Sequence, residues 1–526
     1  MQKLHKPKDW RWLLHRALSI VFSRTVVTVV LVLAQAVWLF SVFYWLSDYS
    51  HLISRVGLAV SALMCLALVR KDSTAPEFKI SWMILFMLMP VQGGLLYLMW
   101  GNKRPAIPLR RRMERAEAEL APLRTGDPAA RAELARRDPR LAETADYLQN
   151  YAASPVFGGT AVRYYPVGDV MLPDMLADLQ AAQHSIFVES FIIGMGEMWG
   201  QIHEILRQKA AAGLDVRVIY DDAGCLSLLP HNYVDLLRAD GIRAFSFNRC
   251  VPVLNLVLNN RDHRKIAVID GRVGFTGGVN LSDEYANLVR VYGVWKDTAV
   301  RLEGEAVRSL TLMFLQMWGM DEREPDTDSY GRYLNVPLPP LPEAGGYVLP
   351  YADSPLDDER VGESVYLDIL SHAERYVRIF TPYLILDETM VMALTFAAKR
   401  GVDVELILPH VPDKKFAFAL AKGHYRELLD AGVKIYEYTP GFVHAKVFVS
   451  DDCKAVVGTI NLDYRSLYLH FENAVYLYDC PCIADIVADF DATRAQSQIV
   501  THGDLARIPL HTRIASALLK LVAPLM

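Results

Sequence analysis

Two stretches of the chain carry the same reactive side chains at the same spacing. The first reads His263-Arg-Lys265-Ile-Ala-Val-Ile-Asp270 and continues to Gly277-Gly-Val-Asn280. The second reads His444-Ala-Lys446-Val-Phe-Val-Ser-Asp451 and continues to Gly458-Thr-Ile-Asn461. Both fit H-x-K-x4-D-x6-G-x2-N, and they lie 181 positions apart. His and Lys two apart on a strand point to one face, so an imidazole can attack or protonate while its neighbouring ammonium binds a phosphate oxygen. The mostly apolar residues between Lys and Asp carry the strand into a core, and the Asp-Gly or Asp-Asp beyond them turns the chain. Asp270 and Asp451 complete the candidate catalytic set and are expected to brace these turns. The small residues of the returning strand let backbone and amide approach a ligand. Two such sets around one site bring together two imidazoles, two ammonium groups and the amides of Asn280 and Asn461. No cluster of carboxylates for a divalent metal accompanies them, so the positive charge is expected from Lys265 and Lys446.

The surrounding chain also repeats itself weakly, at offsets that vary only slightly. Gly213-Leu-Asp-Val-Arg-Val-Ile-Tyr220 parallels Gly401-Val-Asp-Val-Glu-Leu-Ile-Leu408, and Leu236 to Phe245 parallels Leu428 to Tyr436. Each half reads strand, helix, strand, helix and then further strands. This predicts an α/β sandwich with a largely parallel sheet, and two halves predict a pseudo-twofold pairing. Proline-rich Val336–Pro342 separates them. The expected division is therefore a first lobe over 156–343 and a second over 344–500. An amphipathic tail over 501–526 either lies in a membrane interface or packs on the lobes.

The chain has 526 residues, 52% of them hydrophobic and 22% charged, with a mean hydropathy of +0.15. It is too apolar for disorder, and its excess apolarity is concentrated near the N-terminus. Val26–Leu46 holds 21 residues without a charge, enough to cross a hydrocarbon core of ~30 Å. Shorter or interrupted apolar runs follow at 56–69 and 80–100. Residues 1–101 are expected to be a membrane anchor of two or three hydrophobic segments, and 102–155 a helical linker rich in Ala, Arg and Glu. Basic residues on both flanks, Lys3 to Arg24 and Lys103 to Arg115, point both ends to the cytoplasm. Three runs imply an odd number of crossings, so the side on which the lobes lie stays open. A formal net charge of −5 argues against a dedicated nucleic-acid binder. Six scattered cysteines make neither a disulfide framework nor a zinc site.

Through these motifs the sequence resembles the phospholipase D superfamily and its two HKD motifs. Over nearly its whole length it resembles bacterial cardiolipin synthases of that type, including Pro90-Val-Gln-Gly-Gly-Leu-Leu-Tyr97 and Thr381-Pro-Tyr383. The resemblance implies two phospholipase D-like α/β sandwich repeats related by a pseudo-twofold, preceded by N-terminal transmembrane helices in a bacterial cell membrane. It implies a phosphatidyltransferase that makes cardiolipin and glycerol from two phosphatidylglycerol molecules, without metal or other cofactor. His263 would attack phosphorus to form a phosphatidyl-histidine, and His444 would act as acid and then base. Lys265, Lys446, Asn280 and Asn461 would bind the phosphoryl oxygens. One acidic residue on each side, Asp297 and Glu472, would orient a histidine through its other ring nitrogen. Other readings of the same motifs are another phosphatidyl transfer, hydrolysis, or a membrane scaffold with an inactive site.

Overall fold

The computed structural model describes residues 50–71, 75–89, 107–249, 260–321, 330–339 and 341–525, with isolated positions 37, 41, 93, 94, 97 and 101. The chain divides into two compact units, residues 1–102 with 251–255, and residues 103–250 with 256–526. In the first unit helix α1 (Ser50–Val69) packs against α2 (Pro76–Leu88), and Ser61 Oγ donates to Phe86 O at 2.6 Å. Proline at the first position starts α2, where its missing N–H costs nothing. With 13 residues, α2 is ~20 Å long, shorter than a hydrocarbon core. Arg55 interrupts the apolar run of α1. Among the described residues no helix is long and apolar enough to cross a membrane, so the span expected over 56–69 does not appear as such, and the run 80–100 falls only in part among the described residues. The run Val26–Leu46 lies outside the described residues. Both helices nevertheless present apolar side chains outward, and Leu58, Leu63, Leu66, Met87 and Leu88 are each more than half exposed.

The second unit opens with α3 (Ile107–Leu120), α4 (Pro128–Arg137) and α5 (Pro139–Tyr151). These helices fall in the segment expected to be a linker, yet they pack into the same compact unit as the two lobes. Met113, Ala116 and Leu120 of α3 join its central core, while Leu134, Leu141 and Leu148 join the core of the second lobe. Their apolar residues recur at helical spacing, and that stripe must be buried.

The first lobe is built on strands β1 (Thr160–Tyr165), β2 (Ser185–Ser190), β3 (Asp215–Asp221), β4 (Arg243–Phe247), β5 (Arg261–Asp262), β6 (Lys265–Ile269), β7 (Val273–Gly277), β8 (Val294–Lys296) and β9 (Ala299–Gly304). Seven of them form a sheet in the order β1-β9-β7-β6-β2-β3-β4. Helices α6 (Glu197–Ala211) and α7 (Tyr233–Ala239) carry the chain from β2 to β3 and from β3 to β4. Helix α8 (Val307–Asp321) is buried on nearly every side, as its all-round apolar sequence requires.

The second lobe repeats this order with β10 (Tyr347–Asp353), β11 (Tyr376–Phe380), β12 (Asp403–Pro409), β13 (Lys434–Tyr438), β14 (Gly441–Val443), β15 (Val447–Ser450), β16 (Lys454–Gly458), β17 (His470–Tyr478) and β18 (Ser497–Ile499). Its sheet runs β10-β17-β16-β15-β11-β12-β13-β18, matching the first position for position with one strand added at the edge. Helices α9 (Glu388–Lys399) and α10 (Lys415–Asp430) are its crossovers. Helix α11 (Ile483–Arg494) lies with α8 in the core between the two sheets. Helix α12 (Leu510–Val522) packs on α10.

The sheets are mixed rather than largely parallel. Within each lobe's own chain only β2-β3-β4 and β11-β12-β13 run parallel, because only there does a helix return the chain to the starting edge. The motif strands β6-β7 and β15-β16 are joined by tight turns, and a tight turn makes an antiparallel pair. The lobes also exchange strands: β5 of the first pairs with β17 of the second, and β14 of the second pairs with β8 of the first.

Candidate active site

The strand exchange places the histidines. His263 directly follows β5 and His444 directly follows β14, so each is the first residue beyond a strand lent to the other lobe. The backbone N–H of His263 donates to Phe471 O at 2.9 Å, and that of His444 to Lys296 O at 2.7 Å. The residue that follows each accepting one is a buried carboxylate. His263 Nδ1 lies 2.9 Å from Glu472 Oε2, and His444 Nδ1 lies 2.6 Å from Asp297 Oδ2. Each orienting acid therefore serves the histidine of the opposite lobe. With Nδ1–H donated to a carboxylate, each ring presents Nε2 for chemistry.

Lys265 Nζ donates to His263 O at 2.5 Å, and Lys446 Nζ donates to His444 O while lying 3.1 Å from His444 Nε2. Both lysines, both histidines and both carboxylates are buried. Burial disfavours the charged form of each base. It pushes His444 down to about 4, with Lys446 adding to the effect and Asp297 opposing it. It likewise pushes His263 well below the ordinary histidine range against the pull of Glu472. Burial brings Lys265 down to about 7 and Lys446 to about 8, although Glu472 and Asp297 both act to keep each ammonium charged. Burial works against ionisation of Glu472, but the His263 charge and hydrogen bond outweigh it and hold the carboxyl below its usual range. Thr459 Oγ1 also donates to Glu472 Oε2. The empty site thus sets imidazoles that favour the neutral form beside lysines that titrate close to neutral pH, and an anion arriving there favours the charged form of each lysine.

The aspartates of the motifs stand elsewhere. Asp270 accepts the backbone N–H groups of Gln183, His184 and Ser185 at 2.7–2.8 Å. Asp451 accepts those of Glu374, Arg375 and Tyr376 at 2.8–3.0 Å. Both sit at the far ends of the motif strands with φ of +53° and +55°, where they fix turns as expected and make no hydrogen bond to His263 or His444. Gly277, expected to admit a ligand, instead admits the neighbouring strand: a Cβ there would lie 2.4 Å from Thr298 O. At Gly278 a Cβ would meet Asp297 Oδ1 at 2.0 Å, so this glycine makes room for the acid that orients His444. Asn280 Oδ1 accepts from Ile192 N at 3.1 Å, and Asn461 Oδ1 is buried without a hydrogen bond.

The sequence reading missed a matched pair of rings. Trp295 and His470 stand two residues before Asp297 and Glu472. The Trp295 ring lies 5.6 Å from that of His444, tilted by 46°, and the His470 ring 5.5 Å from that of His263, tilted by 41°. Trp295 Nε1 and both ring nitrogens of His470 are buried without a hydrogen bond, and His470 Nδ1 is 3.7 Å from Glu472 Oε1. The shared spacing of W-x-D and H-x-E is the signal that would have found them. Arg264, between His263 and Lys265, points to the opposite side, where its Nε meets Glu189 Oε1 at 2.8 Å. Lys296 also points away, to Asp489 Oδ2 at 2.6 Å. Among the described residues, His263, His470 and Glu472 bring three potential metal ligands within 4.8 Å of one another. The buried lysines beside them repel a dication, and the cluster is better suited to an anion.

Residues 175–318 and 366–494 match the family described as cardiolipin synthase, PLD-like domain, and residues 57–102 match the phospholipase D-nuclease N-terminal family. A Streptococcus mutans protein of uncharacterised function is 48% identical over 85% of this chain and 96% of its own. A cardiolipin synthase of Geobacillus kaustophilus is 33% identical over 90% of this chain and 93% of its own, and cardiolipin synthase 2 of Bacillus cereus is 34% identical over 89% and 90%. The crystal structure of a phosphatidylserine synthase from Haemophilus influenzae superposes with a TM-score of 0.54 at 16% identity, covering 73% of this chain and 97% of that one, a likeness of fold. With two matched repeats, two complete HKD motifs and relatives similar over nearly their full length, the chain belongs to the phospholipase D-like cardiolipin synthase family of phosphatidyltransferases.

Proposed function

We propose that the protein joins two phosphatidylglycerol molecules into cardiolipin, releasing glycerol, through a phosphatidyl adduct on His263. The observation that carries this reading is the crossed pairing of His263 with Glu472 and His444 with Asp297 around two buried lysines. His263 Nε2 attacks phosphorus while the bond to the first glycerol breaks, and His444 Nε2 gives that oxygen its proton. The hydroxyl of a second phosphatidylglycerol then returns a proton to His444, its oxygen attacks phosphorus, and the phosphorus–nitrogen bond breaks. Covalent catalysis with one shared acid and base is thereby complete. His444, neutral in the empty site, takes up its proton as the phosphodiester adds negative charge nearby. Lys265, Lys446, Asn280 and Asn461 stabilise the charge that grows on the phosphoryl oxygens.

The relatives named as cardiolipin synthases support a phospholipid substrate. The match of residues 57–102 and the charge-free run Val26–Leu46 support an N-terminal membrane anchor, which brings donor and acceptor to the site. Full-length protein given phosphatidylglycerol alone, with a chelator present, is expected to yield cardiolipin and free glycerol. His263→Ala and His444→Ala should each remove the product while the protein stays folded. Phosphatidic acid as the main product would instead assign hydrolysis.

A further inference from the structure

A phospholipid must reach a buried site without its acyl chains leaving an apolar phase, and the surface around His444 is shaped for that. In the first lobe four consecutive residues, Leu288, Val289, Arg290 and Val291, are all exposed, the three apolar ones by 43%, 45% and 58%. Both ends of this finger are fastened. Asn287, with φ of +53°, accepts from Trp295 N at 2.8 Å through Oδ1 and donates to Trp295 O at 3.0 Å through Nδ2. The backbone of Leu288 donates to Asp283 O, and that of Val294 to Pro440 O, each at 3.0 Å. Trp295, which anchors the finger, also packs on His444.

The second lobe contributes the segment at the start of α10. Val411 and Phe416 are 37% and 44% exposed, and Lys414 and Lys415 between them are exposed too. Asp413 is tied inward by Tyr383, whose hydroxyl donates to its Oδ2 at 2.6 Å. Tyr285, 5.4 Å from the His444 ring, feels the charge of Asp413 in this segment. Burial pushes its hydroxyl upward, and the charges of Asp297 and Asp413 act in the same direction.

We propose that the finger Leu288–Val291 and the segment Val411–Phe416 form a docking rim that seats the catalytic body on an anionic phospholipid surface. It is a contact separate from the N-terminal hundred residues, and it rests on the reading that the substrate is a phospholipid. Single exposed apolar side chains need no explanation, but three in four positions on a tip pinned at both ends have no core to fold into. Arg290, Lys414 and Lys415 among them match the charge of anionic headgroups, while Asp283 is occupied in accepting from Glu197 N and Met198 N. Apolar side chains flanked by basic ones, at the mouth of a phosphodiester site, fit a bilayer surface better than a protein partner.

The test uses the full chain reconstituted with mixed phosphatidylglycerol and phosphatidylcholine vesicles. A polarity-sensitive dye on Val289→Cys, read against the dye-treated parent chain, should be quenched by lipids brominated on their acyl chains, and less so in phosphatidylcholine alone. Val289→Asp combined with Phe416→Asp should lower turnover on vesicles about ten-fold and leave turnover of monodisperse short-chain phosphatidylglycerol unchanged. Should that pair fail to fold, Val289→Asp alone carries the same comparison. An unquenched dye, an unchanged vesicle rate, or an equal loss on both forms of substrate would each overturn the proposal. Quenching is read without turnover, so it decides the rim even if phosphatidylglycerol proves not to be the donor.

Discussion

The histidines and lysines of the site are held against their own solvation. A buried base whose pKa is depressed binds fewer protons folded than unfolded, so its contribution to stability rises with pH between the two values. For His444 that window runs from about 4 in the folded chain to the ordinary histidine value of 6.5. A proton forced onto it below that window is worth about 3 kcal/mol at most. His263 acts in the same direction. The expected outcome is that the unfolding temperature of the empty enzyme falls as pH is lowered from 7 to 4, and that His444→Gln falls less steeply. Added inorganic phosphate should flatten the wild-type slope, because an anion compensates the imidazolium. A slope that is the same with and without His444 would show that other groups dominate acid unfolding. On the alkaline side Lys265 and Lys446, depressed to about 7 and about 8, make stability climb as the ammonium groups no longer need to be buried.

At the scale of strands and turns, the geometry shared by the two motifs divides into a histidine end and a bracing end. Asp270 and Asp451 each gather three backbone N–H groups from the turn before a neighbouring strand. Asp270→Ala or Asp451→Ala leaves those donors without their charged acceptor and puts alanine at positive φ. Each should cost about 2–3 kcal/mol of stability, read as a lowered denaturant midpoint, with kcat per folded molecule retained. Asn, which tolerates the left-handed region and keeps one acceptor, should recover part of the loss. A collapse of kcat at wild-type stability would return these aspartates to the reacting set. This division was legible in the sequence, since Asp lies an odd number of positions from Lys and begins a turn. The strand order was less so, because apolar runs such as Ile266–Ile269 do not tell a parallel from an antiparallel neighbour. The crossed partners His263–Glu472 and His444–Asp297 depend on β5 and β14, of two and three residues, too short to carry a periodic signal.

Over the whole catalytic body, the repeat seen in the sequence predicts a pseudo-twofold pairing of two lobes, and in the structure the two sheets share one core. Phe187, Val268 and Val300 of the first sheet share one core with Phe380, Val447 and Val475 of the second, and α8 and α11 fill the space between. Buried on nearly every side, α8 has no solvent face to present if either sheet is removed. Helices α4 and α5, far from the second lobe in sequence, pack into its outer core. Each lobe also holds the acid that the other lobe's histidine needs. Separating the halves therefore exposes an apolar interface as large as a domain core and dismantles both catalytic pairs at once. The expected outcome is that residues 103–343 and 344–526, produced singly, are aggregated or partly unfolded by circular dichroism. Produced together in one cell they should associate through this interface and recover phosphatidyl transfer. Calorimetry of the intact catalytic body should show one cooperative transition rather than two. Two separable transitions, or a stable soluble half, would mean that the shared core contributes little and that the pairing of lobes is a docking of finished domains.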